Sequence, residues 1–520
     1  RARFASSCSR NGIRLVATDT NQVDHGSPAF NVKIGGDDIV NDSNLFDGNV
    51  GAGVAFTLID QAAGTFDVRN NTLINTLNDN DPSTNFVGDA IHAELIGAEL
   101  IVEATNILQG SVIDSNDIGT VGSSRLSAAI NGTQTTFAVT DSSRFDALAT
   151  PFDVQIGREV LTVNSITNNN LSVVRGVSGP SEAHAADDAV FSTAGGNQGR
   201  GFAILVEEDS AIQDLLFTNN TVVNNADDGF KYRREDEGRM QMVNQQPGQR
   251  RAVSIRGNTF IGNGSNAPVE TLTPTTSEPR GAGIDIHAIN GSIDLQDVEI
   301  VGNVIESNNG VNTSGILLRV EADARVLADI EDNRIRYNTA DGIELSSRQN
   351  DSTDVRQVGG TWTKNTITNN GEHGIQVIGR HGLFDMISEL VLVTGAETVA
   401  TPLFIGIEGV DPVDGRDRGN IIESNNLDGI TVNAGGLISF SNNSVKFNGT
   451  GGIDIDPGGS HTMSIKANDI SENFGTGIDI NASALTTVVT TIRENLVRNN
   501  VDTSTSAAVI NGDGVELRTA

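Results

Sequence analysis

The sequence predicts an all-β chain wound as a right-handed parallel β-helix (a solenoid), with a small β-sandwich or barrel-like module inserted. Three observations predict it. A unit of asparagine, aliphatic, asparagine and Gly-Ile recurs along the chain. Its late copies start at Asn420, Asn443, Asn468 and Asn495, so the period is far shorter than that of helical repeats. No stretch of useful length has the helical hydrophobic period, whereas short alternating pieces such as "SIKAND" and "GIDIN" sit between turn residues.

The unit reads Asn333/Ile335/Asn338 with Gly342-Ile343, then Asn365/Ile367/Asn370 with Gly374-Ile375, then Asn420/Ile422/Asn425 with Gly429-Ile430. The copies at Asn443 and Asn468 follow, and the copy at Asn220 ends in Gly229-Phe230. Longer spacings upstream are the same unit with loops inserted. One unit makes one turn of the coil, and strands of successive turns pair in parallel about 4.8 Å apart. The aliphatics stack inward. The asparagines are expected to take left-handed backbone at corners and to hydrogen-bond up and down the stack. Glycine before each isoleucine is expected to make the bend. These residues are structural, and none of the repeat asparagines is a catalytic candidate.

Residues 1–121 read as N-terminal turns and 196–520 as the main coil. Residues 122–195 break the repeat. "TTFAVTD", "PFDVQIG" and "REVLTVNSI" are alternating strands with Gly/Asn/Pro turns, enough for a small β-module hung on a loop of the coil. Two separate solenoids on either side are the alternative. Long loops are expected at 231–256, 264–280 and 383–419. The first is basic. Its Arg233, Arg234, Arg239, Arg250 and Arg251 suggest a self-assembly contact with acidic surface elsewhere. The third is partly apolar and suits a strand pair packed on the coil or on another copy.

The repeat resembles the parallel β-helix superfamily, which includes pectate-lyase-like enzymes and large secreted bacterial surface proteins. The inserted module is similar to attachment or spacing modules of phage tail and secreted proteins. The resemblance implies that any chemistry lies on the outside of the coil. Counting outward from each Gly-Ile gives a column of Lys231, Asp285, Leu317, Glu344, Gln376, Thr431, Asp454, Asp479 and Glu516. Two residues further on lie Arg233, His287, Ser346, Asn433, Asp456, Asn481 and Arg518. Asp285 with His287, facing Arg233, is the best candidate for acid/base work. Polygalacturonase-like enzymes need a particular set of carboxylates, to which Asp227-Asp228 answers, and also Gly-His-Gly and Arg-Ile-Lys. Here "EHG" (372–374) and "RIR" (334–336) occur in the wrong order. "GIDIH" (283–287) only touches the pectate-lyase Asp-His motif and lacks its Trp. Aromatic sugar platforms are scarce, with Trp362 expected at a turn or edge and tyrosines only at Tyr232 and Tyr337.

Net charge is −33, which excludes a nucleic-acid partner and argues against anionic membranes. No apolar run is long enough to span a membrane. Like charges stacked at Asp454, Asp479 and Glu516 need water, a raised pKa or a cation, and calcium is the cation that suits an oxygen-only set. Asp411, Asp414 and Asp417 around Gly415 form a second calcium candidate. No other cofactor is indicated. The lone Cys8 is a bystander or an interchain bridge. The chain begins and ends with rung-like strands, so the expectation is either a piece of a longer solenoid or ends that stack on other copies. The leading expectation is a non-enzymatic extracellular or cell-surface building block of a fibre, stalk or adhesin. It would self-associate and carry a glycan or cell-surface ligand. The first alternative is a secreted polysaccharide lyase or glycoside hydrolase. The second is a phage-tail-like attachment protein.

Overall fold

A computed structural model describes residues 3–4, 11–19, 29–38, 42–60, 62–79, 87–96, 106–119, 122–146, 148–178, 181–193, 195–207, 210–235, 239–240, 252–265, 269–273, 276–279, 281–289, 295–321, 324–348, 357–380, 403–407, 409, 417–434, 436–456, 461–482, 488–501 and 514–519. Among these the chain is nearly all β, and the only helical element is a single 3₁₀ turn, Ser143–Phe145. Three long parallel sheets of 13, 15 and 13 strands run the length of the molecule. The front sheet runs from Ile13–Asp19 to Val515–Thr519. The back sheet ends at Val488–Arg493. The narrow sheet is built mostly of three-residue strands such as Thr366–Thr368. Each turn of coil contributes one strand to each sheet, which is a parallel β-helix.

The inward side chains make one continuous core from Ile34 to Ile480. It is continuous across the insertion, because Asp89–Ile96 pairs directly with Phe202–Glu207 and Val112–Asp114 with Leu215–Thr218. This overturns the alternative of two solenoids. Trp362 is also part of the core, its indole N–H donating to the Ala328 carbonyl at 3.2 Å, rather than a turn or edge residue. Its strand, Gln357–Thr363, alternates so that Trp362 falls inward with Val358.

Two asparagine ladders flank the narrow sheet. One climbs from Asn71 through Asn116 and Asn220 to Asn495, and the other from Asn197 through Asn225 to Asn500. From Asn225 upward in the second ladder, and throughout the first, the steps repeat one pattern. Asn338 Nδ2 donates to Asn370 Oδ1 at 2.9 Å, while Asn338 Oδ1 accepts from both Nδ2 and backbone N–H of Asn308. The left-handed residue is the one before the ladder asparagine, as at Asn70, Tyr337 and Phe447. The ladder residue itself spends its amide on the stack. Gly342 is not forced by backbone angle either. A Cβ there would lie 2.6 Å from the Gly374 carbonyl and 2.9 Å from Asn370 Nδ2, so these glycines let adjacent turns close.

Strands Ser123–Arg125 to Ala189–Ser192 form a six-stranded antiparallel sheet with its own core around Phe137, Val154 and Leu161. This module does not hang free. Phe191 packs on Val223 and Ile261, Arg336 pairs with Asp188 at 2.8 Å and Glu306 at 2.6 Å, and Arg158 donates to the Asn369 carbonyl. It lies along the outer face of the narrow sheet.

The expected loops are corrected in three places. Within 231–256, Phe230–Glu235 and Val253–Arg256 are rungs of the front and back sheets. Within 264–280, Val269–Thr273 and Thr276–Pro279 form a hairpin. Within 383–419, Leu403–Ile405 is a rung of the back sheet, because Leu403 and Ile405 alternate inward into the core. Long insertions on either side hid these short rungs from the spacing argument.

Asn338→Ala should strand the two buried Asn308 donors at roughly 1–3 kcal/mol each. Stability should fall by at least about 2 kcal/mol, read as a lower denaturant midpoint at unchanged slope.

Candidate functional site

The outer face of the front sheet carries the columns that the spacing predicts. Lys231, Asp285, Leu317, Glu344, Gln376, Thr431, Asp454, Asp479 and Glu516 are consecutive register partners. Arg233, His287, Arg319 and Ser346 form the next column. Outward side chains of a solenoid ordinarily meet water. Here a charged group drawn from four successive turns is buried instead.

Asp285 lies at its centre and is fully buried. Lys231 Nζ sits 3.1 Å from Asp285 Oδ2 and donates to Asp228 Oδ2 at 3.1 Å. Arg319 Nε donates to Asp285 Oδ1 at 3.1 Å, and its Nη2 reaches Oδ2. Asp228 Oδ1 accepts from the Ala282 N–H at 2.7 Å. Three buried carboxyls, Asp227, Asp228 and Asp285, thus face Arg200, Lys231 and Arg319. Burial pushes the Asp285 carboxyl up to about 8. Lys231 pulls against this, while Asp228 and Asp227 push the same way. Burial and the Asp227 charge also raise Asp228.

His287, two residues along the same strand, moves oppositely. Burial lowers its pKa, Lys231 and Arg233 add to that, and Glu321 opposes it. Its Nε2 contacts Glu321 Oε1 at 3.1 Å, and its Nδ1 is buried with no hydrogen-bond partner. If Glu321 accepts the Nε2 proton, Nδ1 keeps its lone pair. Opposed shifts on two outward residues of one strand are the pattern of an acid/base pair.

Beside this group is a cavity of about 150 Å³ lined by His92, Arg200, Lys231, Arg233 and apolar residues including Leu205. Arg200 Nε donates to Asp227 at 3.1 Å, and His92 Nδ1 lies 2.8 Å from Asp89 Oδ2. The wall thus carries three cations, of which Arg200 and Lys231 also pair with Asp227, Asp228 and Asp285.

The sequence candidates therefore divide. Asp285, His287 and Arg233 come together. Arg234, proposed for self-assembly, is fully buried in the inward row with Val206, Ala288 and Val320, so it presents nothing to a second chain. Arg250 and Arg251 lie outside the described residues, as do Cys8, Asp411 and Asp414; Asp417 is exposed. Asp454, Asp479 and Glu516 are stacked in register. Arg518 donates to both Glu516 oxygens at 2.6 Å and lies 3.6 Å from Asp479, supplying a cation from within the chain. Sequence reasoning missed Arg319, although it stands two residues after Leu317 in the counted column. It also missed Asp89, the acid three residues before the first outward position in "DAIH" (89–92), and did not join Asp228 of "DGFK" (228–231) to the Asp285 group.

One further group could hold a metal. The ligand atoms of Asp341, Glu372 and His373 lie within 4.8 Å of one another. His373 Nδ1 is 3.0 Å from Asp341 Oδ1, and Nε2 is 3.7 Å from Asp428 Oδ2. Burial lowers the His373 pKa, but the Asp341 hydrogen bond and charge outweigh it and the net shift is upward.

Residues 354–519 match the family model described as "Right handed beta helix region". No curated protein matches the sequence. The solved structures it is similar to include the periplasmic alginate epimerase AlgG, at 11% identity over 86% of this chain and 78% of that one, TM-score 0.33. They also include the tailspike gp61 of Pseudomonas phage phi297, at 12% identity over 82% and 71%, TM-score 0.19. A glycoside hydrolase matches at 8% identity over 87% and 90%, TM-score 0.18. At these scores the likenesses carry no inference about activity. No helix among the described residues is long and apolar enough to cross a membrane.

Burial first, then the charges of Asp428, Asp456 and Asp479, push the Asp454 carboxyl up to about 6. Its side-chain carbon should titrate there by NMR. Because the folded value lies above the ordinary 3.8, the shift costs stability as pH rises through 6. Added calcium should lower that midpoint if the acidic column binds it, and leave it unmoved if Arg518 suffices.

Proposed function

We propose that this right-handed β-helix is a secreted polysaccharide lyase that binds an acidic glycan on the outer face of its front sheet. The observation that carries the reading is the convergence of buried Asp285, His287, Lys231 and Arg319 with half-buried Arg233 in one outward group beside a cavity lined by cations. A fibre wall needs solvated outward residues, not a charged group held out of water at a desolvation cost. A uronate carboxylate fits the wall of Arg200, Lys231 and Arg233, which also accounts for a site without aromatic platforms. Tyr232 and Trp362 are used in the core.

In the proposed reaction, the cations neutralise the substrate carboxylate and so acidify the adjacent C–H. His287 Nδ1 takes that proton, with Glu321 fixing the ring. The C–H electrons form a C=C bond as the glycosidic C–O bond breaks. The Asp285 carboxyl gives its proton to the leaving oxygen. The building-block reading remains the competitor. It expects rods or filaments loosened by chelator, and electron microscopy with calcium and with chelator tests it.

Incubation with uronate-rich polysaccharides should release chains ending in an unsaturated sugar, read by ultraviolet absorbance. Asp285→Asn and His287→Gln should each lower kcat by roughly 10²–10⁴-fold without unfolding the coil. Activity should rise with pH as His287 loses its proton below its ordinary 6.5, and fall as Asp285 ionises through about 8. Full activity in Asp285→Asn would sink the assignment.

A further inference from the structure

We infer that the cleft between the inserted module and the narrow sheet is a second glycan site, one that takes a neutral sugar unit. It is independent of the front-sheet site and faces a different side of the coil. The module strand Ser123–Arg125 and the turn Ser143–Phe145 form one side, and the narrow-sheet strands Thr221–Val223 and Thr259–Ile261 form the other. The cleft measures about 220 Å³. At ~30 Å³ per water that is room for on the order of seven waters, less than a drug-sized pocket and suited to a single sugar ring.

Its lining is rich in hydroxyls. Thr221 and Thr259 are register partners whose side chains point into the cleft one strand spacing apart, about 4.8 Å. That separation is comparable with hydroxyls on opposite sides of one pyranose ring. Across from them, Ser124 Oγ lies 3.2 Å from Thr140 Oγ1 and accepts the Asp141 N–H at 3.0 Å. Ile261 supplies one apolar wall, buried against Phe191 and Val223, for the C–H face of a ring.

Charge decides the ligand class. The cleft holds two guanidiniums, yet each already has its counter-ion. Arg125 Nη1 pairs with Glu306 at 3.1 Å, and Arg144 Nη1 pairs with Asp117 at 2.9 Å. Asp141 lies 3.8 Å from Arg144 Nε. Of the charged groups lining the cleft, Asp141 is the one carboxylate, and the two guanidiniums are already turned to Glu306 and Asp117 outside the lining, so an anion entering here would meet no unpaired cation. A neutral polyol meets oriented donors and acceptors, since a guanidinium has five N–H groups and a carboxylate two oxygens.

The test is calorimetric titration of the whole protein with gluco-, galacto- and manno-configured neutral hexasaccharides and with an oligouronate. One neutral series should saturate with little dependence on salt. Thr259→Phe, which fills the cleft, should weaken that binding by about tenfold or more. Ser124→Ala should weaken it roughly fivefold, the size of one lost hydrogen bond. Asp285→Asn should leave it unchanged. If Thr259→Phe disturbs the thermal transition, Ser124→Ala decides. Failure of every neutral hexasaccharide to bind would overturn the inference. So would binding indifferent to both cleft variants, or cleft binding confined to the oligouronate and lost with salt. Loss of neutral-sugar binding in Asp285→Asn would place the ligand on the front sheet and overturn it equally.

Discussion

The buried amide–amide hydrogen bond between asparagines of successive turns is the constraint on which the rest depends. A coil of short strands joined by tight corners leaves backbone donors and acceptors facing inward at every corner, and a buried unpaired donor is costly. Each ladder asparagine meets that demand and hands an identical pattern to the next turn. In the same stroke it fixes the register between rungs. Asn333 Nδ2, for example, bonds both Asn365 Oδ1 and the Ile300 carbonyl, which ties three turns together. The glycines beside the second ladder follow from it, because the turns sit too close for a side chain there.

Register fixed at the corners is what makes the outer face addressable. Once Ile343 must lie over Ile375, Glu344 must lie over Gln376. Side chains far apart in sequence then stand one strand spacing apart without any long-range contact selecting them. The Asp285 group is built this way. Lys231, Asp285 and Arg319 come from three consecutive turns, separated by insertions of very different length. Loops can grow between rungs without disturbing the group because the ladders absorb no information from them.

This also sets what the sequence discloses. The Gly-Ile tag marks where each front strand starts, so the outward columns could be counted with no structure. Rungs without the tag escaped notice. Asp89–Ile96 and Phe202–Glu207 begin in "GDAIH" and "GRGFA", and with them went His92, Asp89 and Arg200. Burial was not legible either. An outward lysine reads as solvated from spacing alone, yet Lys231 is almost wholly enclosed. The left-handed corner was placed one residue too late, because asparagine's tolerance for that conformation and its use as a ladder amide predict the same letter at neighbouring positions.

The docking of the module on the narrow sheet has a mechanical consequence. In a plain solenoid each turn touches only its neighbours, so unfolding can start at any weak rung and spread as a one-dimensional chain does. Here a single folded body touches rungs from Asp117 to Asn369, through Arg144, Phe191, Arg125, Arg336 and Arg158. Those rungs cannot separate without also shedding the module. The middle of the rod behaves as a splinted segment that exchanges its amide protons as one block, and bending under load concentrates in the turns beyond it.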